Sequence, residues 1–419
     1  MKSPLHNRST RQCCPTIRAY CVSYERSGRR GRRIGLFTAA DQSIADAVGA
    51  HLDLFDIVKG SDGSINLAGS AKSAAIESAL GPRYAYAGNS PVDQPIFDSS
   101  ASVILAGPVD RLEMALRSDT TIEARFPALE IGPSTWAQAL RLRHWLKNSL
   151  VFVPALLGAA GLADFMHAGL LFVLFGVLAS GTYLINDLSD LTSDRAHPEK
   201  CRRPLAAGLL PLWQGSMVAA VAIVGSIGVG AWFDGRIAVV LCGYLLLTLG
   251  YSFRFKQVPI LDVTVLAGLF TLRVVGGGVF VPVSPWLLTF SMLFFFGLAV
   301  IKRYAELLRT VADRPLAVVR GYTAVDLPLL MATGVAAGFS AVVIFTTYLI
   351  TEQYPRKIYA DPNLLWWIIP ILLFWITRMW HVAIHGQMSE DPVTFSLGDR
   401  VSLAIAAVIA ILLLLARLG

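Results

Sequence analysis

Charge is scarce in this sequence. Only 16% of its 419 residues are Asp, Glu, Lys or Arg, against 54% hydrophobic ones, and the mean hydropathy is +0.56. A soluble chain usually has about a quarter of its residues charged, so a wholly soluble protein is excluded. Acids are scarcer than bases, 29 against 36, and the net charge of +7 implies an anionic partner, either lipid headgroups or a phosphorylated substrate. Nucleic acid does not fit, because beyond the N-terminal tail most bases sit in short loops between apolar blocks. The five cysteines, Cys13, Cys14, Cys21, Cys201 and Cys242, show neither metal-ligand spacing nor a paired framework, and read as free thiols in a reducing compartment. Met1–Arg33 lacks an apolar h-region, so it is no signal peptide; it reads as a basic disordered tail, with docking to anionic lipid as a second role.

What is present is unevenly placed. Residues 34–132 are mixed and polar and predict a small soluble domain; residues 133–419 are long apolar blocks with short interruptions. Nine blocks are long enough to cross about 30 Å of hydrocarbon at 1.5 Å per residue. They lie near 147–163, 168–186, 212–233, 236–253, 260–282, 286–302, 328–350, 363–381 and 400–418. The 187–211, 254–259 and 302–327 loops carry Arg195, Lys200, Arg202, Arg203, Arg254, Lys256, Lys302, Arg303, Arg309, Arg314 and Arg320, whereas the opposite loops carry only Arg236, Arg356 and Lys357. This bias predicts a multi-pass protein of the inner (plasma) membrane of bacterial type, with N-terminus and polar clusters cytoplasmic and C-terminus outside.

One cluster carries chemistry. After Asn186, the acids Asp187, Asp190 and Asp194 are spaced i, i+3 and i+7 and share a face on a continuing helix. Three carboxylates beside a membrane repel unless a cation neutralises them, and an all-oxygen ligand set favours Mg²⁺ shared with phosphate oxygens. His197, Lys200, Arg202 and Arg203 follow on the same loop. Acids to hold a metal and bases to hold an anion suit a diphosphate ester. Further polar groups are Tyr251, Ser252, Arg254, Lys256 and Asp262 around the fourth and fifth blocks, and Lys302, Arg303 and Glu306 at the end of the sixth. Asp262 also suits a helix N-terminus, and Lys302 and Arg303 suit snorkelling at an interface. Arg143, Trp145, Lys147 and Asn148 precede the first block, as an interfacial anchor or as phosphate contacts.

The run Asn186-Asp187-Leu-Ser-Asp190-Leu-Thr-Ser-Asp194 through His197, Lys200, Arg203, Pro204 and Gly208 resembles the first aspartate motif of the UbiA prenyltransferase superfamily, over about residues 134–419. Nine spans is also the core that resemblance implies. Arg143-His-Trp145-Leu-Lys147-Asn148, Tyr251-Ser-Phe-Arg-Phe-Lys256, Leu272-Arg273-Val-Val-Gly276-Gly277, Lys302-Arg303-Tyr-Ala-Glu306-Leu307 and Asp391-Pro392-Val393 are most similar to its decaprenyl-phosphate phosphoribosyltransferase branch. Members that use a prenyl diphosphate have a second acidic motif; here Asp262 is followed by Val263, Thr264, Val265 and Leu266, so the second acid is missing. The resemblance therefore implies a Mg²⁺-dependent transferase with phosphoribosyl diphosphate as donor and a polyprenyl phosphate as acceptor. Asp187, Asp190 and Asp194 are the expected metal ligands, with Lys256 and Asp262 also catalytic. Lys147, Asn148, Asn186, Lys200, Arg202, Arg203, Tyr251, Lys302, Arg303 and Glu306 are expected to bind substrate. The competing readings are a polyprenyl diphosphate-dependent prenyltransferase acting on an aromatic or other small acceptor, and a non-catalytic transporter or lipid-binding scaffold.

The soluble segment alternates short strands and helices: strands at Ile34–Thr38, Tyr84–Ala87 and Ser102–Ala106, helices at Asp41–Leu52 and Gly69–Leu80. It resembles the later part of a haloacid-dehalogenase-like (HAD-like) domain, with Thr38, Lys72 and Gly88-Asn89-Ser90-Pro-Val-Asp93 matching its second to fourth motifs. No Asp precedes Asp41 to serve as that family's nucleophile, and Asn89 replaces an acid. The expectation is a truncated, catalytically dead α/β domain ahead of an all-α polytopic membrane domain.

Overall fold

The computed structural model describes residues 31–127, 131–158, 160–197, 199–313, 318–356, 359–388 and 391–418. The expected disordered tail, with Cys13, Cys14 and Cys21, falls almost wholly outside them. The chain divides into two units: Met1–Ala139 with Asp187–Gly215, and Leu140–Asn186 with Ser216–Gly419. The aspartate loop falls in the first of these units.

The first unit opens with alternating strands and helices: β1 (Gly35–Asp41), α1 (Gln42–Leu52), β2 (Ile57–Ser61), α2 (Gly69–Leu80), β3 (Ala85–Gly88), α3 (Gln94–Ser99), β4 (Ser102–Gly107), α4 (Val109–Ala115) and β5 (Ile122–Pro127). β1 pairs in parallel with β2, and β3, β4 and β5 form a second parallel sheet. α1 begins where it does because the Asp41 side chain accepts the Ser43 N–H at 2.9 Å, a standard N-cap. Two strands were not expected. β2 is short and contains Gly60, and β5 alternates polar and apolar residues so that only one face is covered.

Lys72 and Asp93, which the sequence assigned to separate motifs, meet in this unit. The Lys72 ammonium donates to Asp93 Oδ1 at 2.9 Å and to the Tyr86 hydroxyl at 3.1 Å, and both charged residues are buried. Lys72→Ala is expected to destabilise this unit by about 3 kcal/mol, because it leaves a buried carboxylate unpaired. Lys72→Met with Asp93→Leu should recover most of that loss. Denaturant unfolding of the three proteins measures both, and equal stability of Lys72→Ala and wild type would rule out the brace.

After a short helix, Pro133–Ala139, the main helices are α5 (Val153–Leu157), α6 (Leu162–Ser189), α7 (Leu191–Ala196), α8 (Leu212–Phe233), α9 (Gly235–Phe253), α10 (Leu261–Gly277), α11 (Pro285–Asp313), α12 (Leu327–Tyr348), α13 (Ile368–Ile384), α14 (Pro392–Gly398) and α15 (Arg400–Leu418). Among the described residues seven segments are long and apolar enough to cross a bilayer: α6, α8, α9, α11, α12 with its flanks from Ala324 to Gln353, α13 with its lead-in from Pro362, and α15. Two of the nine expected blocks take a less regular or shorter form. Residues 147–163 are no continuous span: a 3-10 run, Leu142–Phe152, passes into the short α5 and ends at Gly158. Pro154 brings no N–H to a longer α-helix. Tight packing also holds the run against α10, since a Cβ on Gly277 would lie 2.1 Å from the Val151 carbonyl oxygen. The 260–282 block yields the 17-residue α10, about 25 Å long, which ends at the Gly276–Gly277 pair.

Two apolar clusters make up the second unit's core. Leu171, Leu174, Phe175 and Leu178 of α6 pack on Ile237, Leu241 and Tyr244 of α9 and on Leu269 of α10. The larger cluster joins α10 to α11, α12 and α13 through Val263, Phe295, Leu298, Leu330, Met379 and Trp380. Gly334 lets α12 approach α13: a Cβ there would lie 2.4 Å from the Trp380 ring. Small residues at such crossings replace the hydrophobic drive that is missing between helices in lipid.

Candidate functional site

The acidic face lies in the first unit, at the end of α6 and in the loop beyond it. α6 stops at Ser189 and α7 starts at Leu191, yet the Asp194 N–H still bonds to the Asp190 carbonyl at 2.8 Å, so helical register is nearly kept across the break. Asp187 and Asp194 are buried, at 4% and 1% exposure, whereas Asp190 is half-buried. A single guanidinium nitrogen, Arg203 Nη1, donates to Asp187 Oδ1 at 3.0 Å and to Asp194 Oδ2 at 2.7 Å. Of the basic run, only Arg203 is shown on these acids. Lys200 and Arg202 are exposed, and exposed His197 accepts the Glu199 N–H through Nδ1 at 3.2 Å.

This arrangement modifies the expected metal cage. Among the described residues no three His, Cys, Asp or Glu side chains converge as a metal-binding group. Two carboxylates do converge, on Arg203. Buried acids that aim an oxygen each at one cationic atom are a donor set that fits a hard divalent ion, with Arg203 supplying the positive charge in its absence.

The second unit holds the other polar groups. Asp262 at the start of α10 is completely buried, and both of its oxygens are taken: Oδ2 by Arg303 Nε at 2.7 Å and Oδ1 by the Tyr322 hydroxyl at 2.7 Å. Asp262, expected to be catalytic, is here engaged by Arg303 and Tyr322. In this arrangement the enclosed carboxylate braces the start of α10 to Arg303 and Tyr322. Arg303, expected to bind substrate, is equally enclosed; it ties Asp262 to Glu306 on its own helix α11.

Tyr322, which sequence reasoning missed, completes the brace. Its oxygen accepts the Ile260 N–H at 2.6 Å while its proton goes to Asp262. Burial and then the Asp262 hydrogen bond push the phenol up, so it stays protonated. The contact holds Ile260 at φ +67°, costly for a β-branched residue. Gly321, at φ +83°, lets this loop press on Pro259, where a Cβ would come within 2.9 Å. The same loop delivers Arg320 to Tyr251, Nη1 to hydroxyl at 2.9 Å. Tyr322→Phe is expected to lower stability by about 1–3 kcal/mol by leaving a buried carboxylate oxygen and the Ile260 N–H short of a partner. Thermal melting of the purified protein tests it, and no shift would remove Tyr322 from the brace.

A separate group lines the interior of the same unit. Lys147 Nζ donates to Asp391 Oδ2 at 2.7 Å, and Lys302 Nζ lies 3.4 Å from Asp391 Oδ1. Burial pushes Asp391 towards its neutral form, but the Lys302 and Lys147 ammonium groups more than offset this and hold its carboxyl below the usual range. Arg273 donates to Asn148 Oδ1 at 2.8 Å, to the Leu269 carbonyl at 2.6 Å and to the Tyr244 hydroxyl at 2.9 Å. Trp145, expected at a membrane interface, is turned inward and donates to Ser180 at 3.0 Å. Arg273, which the expected site left out, was legible as a charge in the middle of an apolar helix. Nothing in the sequence pointed to Tyr322. Tyr251 and Lys256 are half-buried at the end of α9 and in the 3-10 turn Phe255–Gln257, and Asn186 is half-buried near the end of α6.

The comparisons agree with this architecture. Residues 149–395 match the model of the UbiA prenyltransferase family. A protein of Sinorhizobium fredii designated y4nM is 39% identical over 92% of this chain and 76% of its own length. The decaprenyl-phosphate phosphoribosyltransferase of Mycolicibacterium smegmatis is 31% identical over 63% of this chain and 86% of its own. Among solved structures, a UbiA homolog from Archaeoglobus fulgidus bound to GPP and Mg²⁺ superposes with a TM-score of 0.50, at 15% identity, over 68% of this chain and 100% of its own. That likeness speaks to the fold alone. The chain is a multi-pass membrane transferase belonging to the UbiA prenyltransferase family.

Proposed function

We propose that the protein transfers the 5-phosphoribosyl group of phosphoribosyl diphosphate to a polyprenyl phosphate, with Mg²⁺ as cofactor and the active face cytoplasmic. The observation that carries this reading is the withdrawal of Asp262 into its bonds with Arg303 and Tyr322. Among the described residues the Asp187–Asp194 pair then offers the converging carboxylates, which suits one metal-bound diphosphate rather than the two acidic motifs that serve a prenyl diphosphate. The similarity to a decaprenyl-phosphate phosphoribosyltransferase supports the same donor.

In this reaction the bond from ribose C1 to the diphosphate oxygen breaks, and a bond from C1 to an acceptor phosphate oxygen forms. The metal supplies charge neutralisation for the departing diphosphate. Asp187 and Asp194 would hold it, with half-buried Asp190 beside them, and in its absence Arg203 keeps the two buried acids from repelling one another. Lys200 and Arg202, exposed on the same loop, attract the donor's phosphates. The acceptor phosphate is already anionic, so no strong base is required. Membranes given labelled phosphoribosyl diphosphate and a polyprenyl phosphate should yield a lipid-linked label that EDTA abolishes. Absence of that label together with turnover of a prenyl diphosphate would overturn the reading in favour of a prenyltransferase.

A further inference from the structure

The interior of the second unit carries more positive than negative charge. Lys147, Arg273 and Lys302 face one another's fields, and among the described residues their single ion-pair partner is Asp391. Arg273 is 5% exposed and bonded only to neutral groups. The faces of Tyr244 and Phe270, 4.8 and 5.5 Å from its guanidinium, soften its charge without cancelling it. Beside it, Asn148 is 1% exposed and its Nδ2 has no hydrogen-bond partner. An Arg Nε–H only donates, so the amide is fixed with Oδ1 towards Arg273 and the unpaired Nδ2 turned away. Surplus cations and a buried idle donor are costly unless a ligand completes them.

We propose that Lys147, Lys302, Asn148 and Arg273 form a binding site for a phosphate monoester, and that its natural occupant is the headgroup of a phosphorylated polyprenyl lipid. A phosphomonoester carries about −1.5 to −2 at neutral pH, which together with Asp391 nearly balances the three cations. A phosphodiester leaves them under-neutralised, and a free diphosphate overshoots. The surroundings select a lipid over a sugar phosphate. Lys147 sits over the Phe270 ring at 5.7 Å, Phe270 stacks on Phe295 at 5.1 Å, and Phe295 meets Phe294 at 5.6 Å. Phe290 extends the row, 5.4 Å from Phe294. Phe295 precedes Lys302 on α11 by about 10 Å, so the rings run from the charged group into the apolar core. Isoprene units gain from covering such surface, and a ribose does not.

Naming this lipid the acceptor rests on the transfer reaction proposed above; the site itself does not. Full-length protein in detergent, with EDTA present, is titrated with polyprenyl phosphate, with the corresponding polyprenyl alcohol and with ribose 5-phosphate. The phosphate should bind at least tenfold more tightly than the alcohol. Lys302→Gln and Asn148→Leu should each remove most of that difference while melting as sharply as wild type. Lys302 is partly exposed and is the safer variant for folding. Equal binding of phosphate and alcohol, or full retention of the difference in Lys302→Gln, overturns the site. Displacement of the lipid by ribose 5-phosphate overturns its lipid occupant. Turnover of phosphoribosyl diphosphate is measured in parallel, so tight lipid binding without turnover counts against the reaction and leaves the site standing.

Discussion

Asp187→Asn and Asp194→Asn are each expected to reduce transfer by about 10³-fold or more while leaving the protein folded. Losing one anionic ligand of a metal that neutralises a leaving diphosphate forfeits several kcal/mol of transition-state stabilisation, and about 4 kcal/mol corresponds to that factor. Asparagine keeps the size and the hydrogen-bonding oxygen. The remaining acid keeps its bond to Arg203, so neither variant strands a buried charge. Initial rates across a Mg²⁺ titration measure the loss, and a melting curve separates it from unfolding. Either variant retaining a tenth of wild-type turnover would falsify the metal assignment. Arg203→Met supplies a readout independent of activity. Without the guanidinium the two buried carboxylates repel, so the variant should melt lower in EDTA and gain more from Mg²⁺ than wild type does. A Mg²⁺ response no larger than that of wild type would mean the pair does not take the ion.

Arg303→Leu should cost about 3–5 kcal/mol and sharply lower the yield of folded protein, because Asp262 is left buried and charged without its main partner. Asp262→Leu combined with Arg303→Leu should recover much of this loss, since no orphan carboxylate remains at that position. Asp262→Asn keeps a single acceptor oxygen, enough for Arg303 or Tyr322 but not both, so it should cost some stability while its transfer defect stays far smaller than that of Asp187→Asn. The yield of monodisperse protein, its thermal midpoint and initial rates separate the two roles. A loss of activity in Asp262→Asn as deep as that of Asp187→Asn, with an unchanged midpoint, would restore Asp262 to the chemistry.

Much of the fold was legible because it follows local rules. Long apolar blocks give membrane helices whatever their neighbours, and seven of the nine expected blocks are such segments. The strand–helix alternation of 34–107 likewise follows from short apolar runs separated by turns, with α2 found at its expected bounds. Residues 147–163 were misread because apolar content alone does not distinguish a regular span from a 3-10 run. What holds that run is the contact between Val151 and Gly277, far apart in the chain.

The sequence by itself determined that this is a many-pass membrane protein with an ordered acidic face beside a basic run. Periodicity and charge placement are local properties, and they locate Asp187, Asp190 and Asp194 without a structure. Only the tertiary structure decided which base answers which acid. Arg202 and Arg203 are adjacent in sequence, yet Arg203 bridges Asp187 and Asp194 while Arg202 is exposed. Asp262 and Arg303 looked like two reactive groups and are one buried pair. Asp391, Lys147 and Lys302 come from distant parts of the chain. Pairing depends on distances between elements, which local sequence rules do not carry, and in a low-dielectric interior the partner a carboxylate finds decides its energy.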